Sequence, residues 1–162
     1  MKKIMLAAMA AIVLVPVAAW SAENWSVDKE DQRENRMVLS GMPDQEEVDT
    51  DVWLACRKDG RFDIGLGAND SIGEGKGEAV SVTLTSGGKT ATVKGTSHNS
   101  DNFEMTGGTE LIGVVAKSDP LFAVLSAGPT VKTKSGKTTG SFDTKGLQKK
   151  LPAFLASCVA KK

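Results

Sequence analysis

Cys56 and Cys158 are the only cysteines of the 162-residue chain, and 102 positions separate them. A bond between them would fasten the end of the chain to its first half. Whether it forms depends on the compartment, and the N-terminus speaks to that. Lys2 and Lys3 precede an almost wholly apolar run, Ile4 to Ala19, broken near its end by Pro16 and followed by the small residues of "AAWSAENW". This order is that of a secretory signal peptide. The run has 16 residues, whereas a membrane span needs about 20, and no stop-transfer flank follows it. Processing is expected near Ala22, with an uncleaved anchor helix as the alternative. No cysteine follows the apolar run, which excludes a lipoprotein signal.

An exported chain with two cysteines pairs them as a rule. A Cys56–Cys158 bond would close a loop that chain entropy values at about 4.7 kcal/mol, and measured bonds at about 2–4. That is a large share of a net stability of about 5–15 kcal/mol. No CxxC spacing accompanies either cysteine, so the expected role is structural rather than redox.

Removing residues 1–22 leaves 23–162, enough for one domain with its own core. Loss of Lys2 and Lys3 leaves a net charge of −2. Residues 23–74 carry −8 and residues 75–162 carry +6. Mutual neutralisation within one sheet is the expected reading, not a nucleic-acid patch. Export and an aromatic content of 5% both argue against a base-stacking platform. No membrane span is expected after processing.

The body reads as β. "DVWLACR" sets Val52, Leu54 and Cys56 on one face, so Cys56 should point into the core. Asp59-Gly60 marks a turn, and Phe62, Ile64 and Leu66 resume the alternation. "VSVTLTSGGKTATVKG" centres on Gly87-Gly88, which suits a two-residue primed turn. Folded there, Leu84 faces Ala91, Val82 faces Val93, and threonines line the other side. "GANDSIGEGKGE" (67–78) reads as a polar glycine-rich loop, and "TSHNSDN" (96–102) as a turn or loop. "NFEMTGG" reads as a short strand and "LFAVLSA" as a buried strand, while "TELIGVVAKSDP" reads first as a short helix capped by Thr109 and ended by Asp119-Pro120, with a strand as the alternative. "TVKTKSGKTTGSFD" reads as a hairpin around Ser135-Gly136. In the tail, Leu147, Leu151, Phe154, Leu155 and Cys158 share one helical face. Pro152 suits a first turn, which predicts a helix near 152–160. The expected fold is thus mainly β, an antiparallel sandwich-like domain with a short C-terminal helix tethered by the disulfide.

Little in the chain points to catalysis. His98 is the single histidine, with Ser97, Ser100 and Asp101 beside it, but sequence neighbours rarely form a triad and no GxSxG elbow exists. Zinc needs more ligands than one histidine and two paired cysteines. Five acids fall in 44–51, where Asp49 and Asp51 could share a strand face and bind a cation. The EF-hand pattern is absent, so a solvated acidic loop is expected. Phosphate-loop spacing is missing too. No cofactor and no metal are expected. Lys132, Lys134 and Lys137 form a basic hairpin, "KTKSGK", that could touch an anionic partner or simply guard a sheet edge.

The landmarks "ENWSV", "MVLSG", "VWLACRKDGRFDIGL" and "GSFDTKGLQKKLPAFLASC" resemble the small periplasmic proteins associated with type VI secretion, of the VasI or TagO type. They also resemble the invasion-associated locus B group. Trp25, Cys56, Phe142, Asp143, Gly146, Leu147 and Cys158 carry the resemblance. It implies a fold and a compartment, and no catalytic residues. The expected function is that of an exported periplasmic accessory or binding protein, non-enzymatic, acting on a protein partner or the cell envelope. A periplasmic lysozyme inhibitor is the first alternative, and a hydrolase using His98 the second.

Overall fold

The computed structural model describes residues 25–28, 38–41, 52–67, 72–100 and 103–160. The signal-like segment 1–22, the acidic stretch 44–51 and part of the loop 67–78 lie outside those residues. Among the described residues nine strands form one antiparallel sheet: β1 (Trp25–Asp28), β2 (Val38–Gly41), β3 (Val52–Cys56), β4 (Phe62–Gly67), β5 (Lys76–Ser86), β6 (Lys89–Asn99), β7 (Thr109–Val115), β8 (Thr130–Ser135) and β9 (Thr138–Asp143). Their order across the sheet is β1-β2-β3-β4-β7-β6-β5-β8-β9. The described residues also form the helices α1 (Phe103–Thr106), α2 (Pro120–Leu125) and α3 (Leu147–Ser157). The fold is mainly β, antiparallel, with a short C-terminal helix. Its layering comes from a single sheet that curls until its ends meet. There the Trp25 indole donates to the Asp143 carbonyl at 3.0 Å and its ring lies 6.2 Å from that of Phe142.

The alternation read from the sequence sets the registers. Leu54 pairs with Ile64 and Cys56 with Phe62. Val82 pairs with Val93 and Leu84 with Ala91. Gly87 and Gly88 both have positive φ, 53° and 77°, as a primed turn requires. Gly87 carries a second constraint, because any Cβ there would overlap the Ala127 carbonyl. Inward side chains of the sheet join those of α2 and α3 in one core. At its middle, the Phe62 ring stands 5.3 Å from Phe122 of α2 and 5.8 Å from Phe154 of α3.

Cys56 and Cys158 are bonded, with Cα atoms 5.6 Å apart. Cys158 is the residue that ends α3. The bond therefore joins the end of β3 to the end of the helix, as expected.

Several local expectations are corrected. Residues 109–115 form strand β7, not a helix. β7 lies between β4 and β6 and pairs with both, so tertiary pairing overrides an ambiguous short apolar run. Asp119-Pro120 starts a helix instead of ending one. The Asp119 carboxylate accepts from the Leu121 N–H at 2.9 Å, and proline fits the first helical position, where its missing N–H has no partner in any case. "LFAVL" is accordingly α2, with Leu121, Phe122, Val124 and Leu125 buried. Residues 103–106 are the single turn α1, not a strand, and His98 lies in β6, not in a loop.

The C-terminal helix begins at Leu147, five residues before the expected start, with Pro152 inside it. Proline in a helix interior costs about 3 kcal/mol. Burying Leu147, Leu151 and Phe154, all at most 2% exposed, offsets that at about 1.5–3 kcal/mol each.

Candidate functional site

The side of the sheet away from the core carries the chemistry. In β5, β6 and β8, residues alternate between core and solvent, so "VTLT", "TATVK" and "VKTK" send Val, Leu, Ala91 and Thr133 inward and the other Thr and the Lys outward. The register then lays these outward residues side by side. Lys134 stands opposite Thr83 on β5 and Thr139 on β9. Lys132 stands opposite Thr85 and Ser141. Both lysines are exposed. As same-face neighbours on one strand they are spaced by about 7 Å. Lys137 occupies the turn between Ser135 and Thr138, and it too is exposed. The three lysines singled out in the sequence are thus brought to one hairpin, two of them on one sheet face.

Most of the neighbouring outward positions carry hydroxyls, with Asp143 opposite Thr130 at the edge. Thr83 and Thr92 share a hydrogen bond between their Oγ1 atoms at 3.2 Å, and Thr85 and Thr90 do so at 3.3 Å. Lys94, on the same side of β6 opposite Ser81, adds a further ammonium. Among the described residues, no carboxylate lies within ion-pair distance of Lys94, Lys132, Lys134 or Lys137. Ion pairs among the described residues lie elsewhere and include Arg57 with Asp59 and Asp63, Arg61 with Asp59, and Lys76 with Glu74.

A second cluster occupies the same side of β3, β4, β7 and β6. The Trp53 indole lies over Gly65, where any Cβ would run into the ring. Its Nε1 donates to Glu110 Oε2 at 3.2 Å. Glu110 is only 5% exposed and stands opposite His98 in the β6–β7 register. His98 Nε2 and Thr96 Oγ1 are 2.7 Å apart. Sequence reading passed over Trp53 and Glu110. Gly65 and Gly67 in a strand were the available signal, since a strand glycine often marks a close approach.

The serine beside His98 is committed elsewhere. Ser97 faces the core, fully buried. Its hydroxyl donates to the Ile72 carbonyl and accepts from the Gly75 N–H at 3.0 Å. Residues 72–78 are correspondingly not a loose loop. Ile72 is buried, and the Glu78 carboxylate accepts from the backbone N–H groups of Glu74 and Lys76. Asp101 lies outside the described residues.

Among the described residues no group of three or more His, Cys, Asp or Glu side chains could hold a metal ion. No helix among them is long and apolar enough to cross a membrane. Comparison with protein-family models, with curated proteins and with solved structures finds no match for this chain.

Proposed function

We propose that this chain is an exported periplasmic accessory protein that binds and does not catalyse. In this reading Lys132, Lys134 and Lys137 attach it to an anionic protein partner or envelope component. The observation that carries the reading is the exposed lysine pair of β8, set among hydroxyls with no carboxylate within ion-pair distance among the described residues. Cations that lack internal partners leave their field for a ligand. The Cys56–Cys158 bond supports export, because such bonds persist in oxidising compartments. The resemblance to type VI secretion-associated and invasion-associated locus B proteins agrees with an accessory role.

A serine hydrolase using His98 finds no partner in Ser97, whose hydroxyl points to the opposite side of β6 and is already bonded. The test compares two variants in cosedimentation with envelope fragments. His98→Ala should bind as the wild type does, because surface changes usually stay within about 0.5 kcal/mol. Lys132→Ser/Lys134→Ser/Lys137→Ser should lose most of the attachment. The opposite pattern, with both variants folded by circular dichroism, would overturn the reading.

A further inference from the structure

We infer that the ligand of this face is a polyanionic saccharide chain, and that the threonine pairs of β5 and β6 recognise it together with the lysines. The inference rests on the attachment reading above and narrows the class of partner.

Three observations point to a glycan. The first is what the face lacks. Around the threonine pairs and the lysines, its outward positions in 81–85, 90–94, 132–134 and 139–141 hold only serine, threonine and lysine. Trp53, His98 and Val114 on the same side lie beyond them, and Asp143 stands at the edge. Protein interfaces draw most of their affinity from buried Trp, Tyr and Arg anchors, and nothing of that kind stands among these positions. The same lack removes the apolar wedge by which a protein enters a lipid interface.

The second is what the hydroxyls have left to give. A threonine hydroxyl has one donor and two acceptor sites. Each bonded pair, Thr83 with Thr92 and Thr85 with Thr90, uses one donor and one acceptor between its members. One donor and three acceptor sites per pair remain turned to solvent. Sugar hydroxyls both donate and accept, so they match that mixed supply. A polypeptide carboxylate only accepts.

The third is the geometry. Register places the threonine pairs and the lysines in two parallel rows across the strands. One row runs Thr92, Thr83, Lys134; the other runs Thr90, Thr85, Lys132. Neighbours along a row are about 4.8 Å apart and the rows are about 7 Å apart. A chain lying along a row meets hydroxyls and then an ammonium. Lys94, next on β6, supplies a positive charge at the other end. An anionic glycan offers this alternation of hydroxyl and negative charge at every sugar.

The experiment uses the folded, disulfide-bonded protein without residues 1–22 and follows binding by calorimetry. The probes are polygalacturonate, neutral dextran, polyglutamate, and vesicles of phosphatidylglycerol with phosphatidylcholine. The variants are Thr83→Val/Thr92→Val, which keeps shape while removing hydroxyls, and Lys132→Ser/Lys134→Ser. Polygalacturonate should bind, dextran should not, and the valine variant should bind about tenfold more weakly. Polyglutamate and the vesicles should bind more weakly than polygalacturonate, and their binding should be indifferent to the valines. If polyglutamate or the vesicles bind as well as polygalacturonate and the valine variant is unaffected, the saccharide inference fails while lysine attachment stands. If none of the polyanions binds, both fail.

Discussion

The indole nitrogen of Trp25 donates to the backbone carbonyl of Asp143 across 3.0 Å, although 118 residues separate them. This bond joins the first strand of the sheet to the last. The Trp25–Phe142 ring contact reinforces it, and the Lys150 ammonium donates to the Trp25 carbonyl from α3. Trp25, Phe142 and Asp143, read in the sequence only as landmarks of a resemblance, therefore meet at one seam.

Trp25→Phe should open that seam. It leaves a shielded carbonyl without its donor, at about 1–3 kcal/mol, and adds a cavity cost. Urea denaturation should show a lower midpoint at unchanged slope. An unchanged midpoint would mean that the seam adds nothing to stability.

The disulfide makes a separate prediction. Thiol titration of the unfolded, unreduced protein should find no free thiol. Cys158→Ala should cost about 2–4 kcal/mol, and the amides of α3 should become the first to exchange. A three-turn helix is marginal without tertiary support, and the bond holds this one at its far end. If α3 keeps its protection in the variant, its packing alone suffices.

Gly65 is predicted to tolerate no side chain. Gly65→Ala must push the Trp53 ring aside and break its bond to Glu110. Overpacking of this kind costs about 1–3 kcal/mol. Tryptophan fluorescence should shift to the red as Trp53 gains solvent. Unchanged emission together with unchanged stability would place the ring elsewhere.

Acid should loosen residues 72–78. The Glu74 backbone N–H, with further backbone donors including that of Lys76, holds the Glu78 pKa below the ordinary carboxylate value. A pKa depressed by folding contributes stability above the unfolded value, and that contribution is lost as pH falls through the folded value. The segment should therefore be firm at neutral pH and should loosen below the ordinary glutamate range. Asp59, hydrogen-bonded by the Arg61 side chain and pulled down to about 2, should titrate later. Glu78→Gln should flatten the pH dependence of the amide protection factor at Gly75, that is, of exchange relative to the intrinsic rate at each pH. If the wild-type protection factor is already independent of pH in that range, the carboxylate does not pin the segment.

These relationships differ in how far the sequence disclosed them. The β5–β6 hairpin was legible because Gly87-Gly88 and the flanking alternation agree on one register. The Cys56–Cys158 bond was legible from the signal-like N-terminus and the number of cysteines alone. Asp119-Pro120 was misread because the same dipeptide suits a helix start and a helix end, and only the Asp119 cap bond distinguishes them. Residues 109–115 were misread because a strand paired on both sides gives no clean alternation. The early start of α3 was missed because Pro152 weighed more locally than the three buried side chains it interrupts. For the candidate site, the lysines of "KTKSGK" were legible as a basic hairpin. Their threonine neighbours were not, since the β5–β8 pairing spans about fifty residues of chain. Trp53 and Glu110, 57 apart, depend on the non-local β4–β7 pairing in the same way.

The central claim, that the lysines of β8 and the adjoining turn hold an anionic partner, is tested most directly by salt. Exposed charges are screened over about 10 Å at 0.1 M salt and less at higher salt. Attachment to envelope fragments should be measured from about 50 to about 300 mM salt, for the wild type and for Lys132→Ser/Lys134→Ser/Lys137→Ser. The account predicts that wild-type attachment falls steeply over that range and that the variant binds weakly throughout, with a shallower slope. Attachment that ignores salt and survives the loss of all three lysines would contradict it.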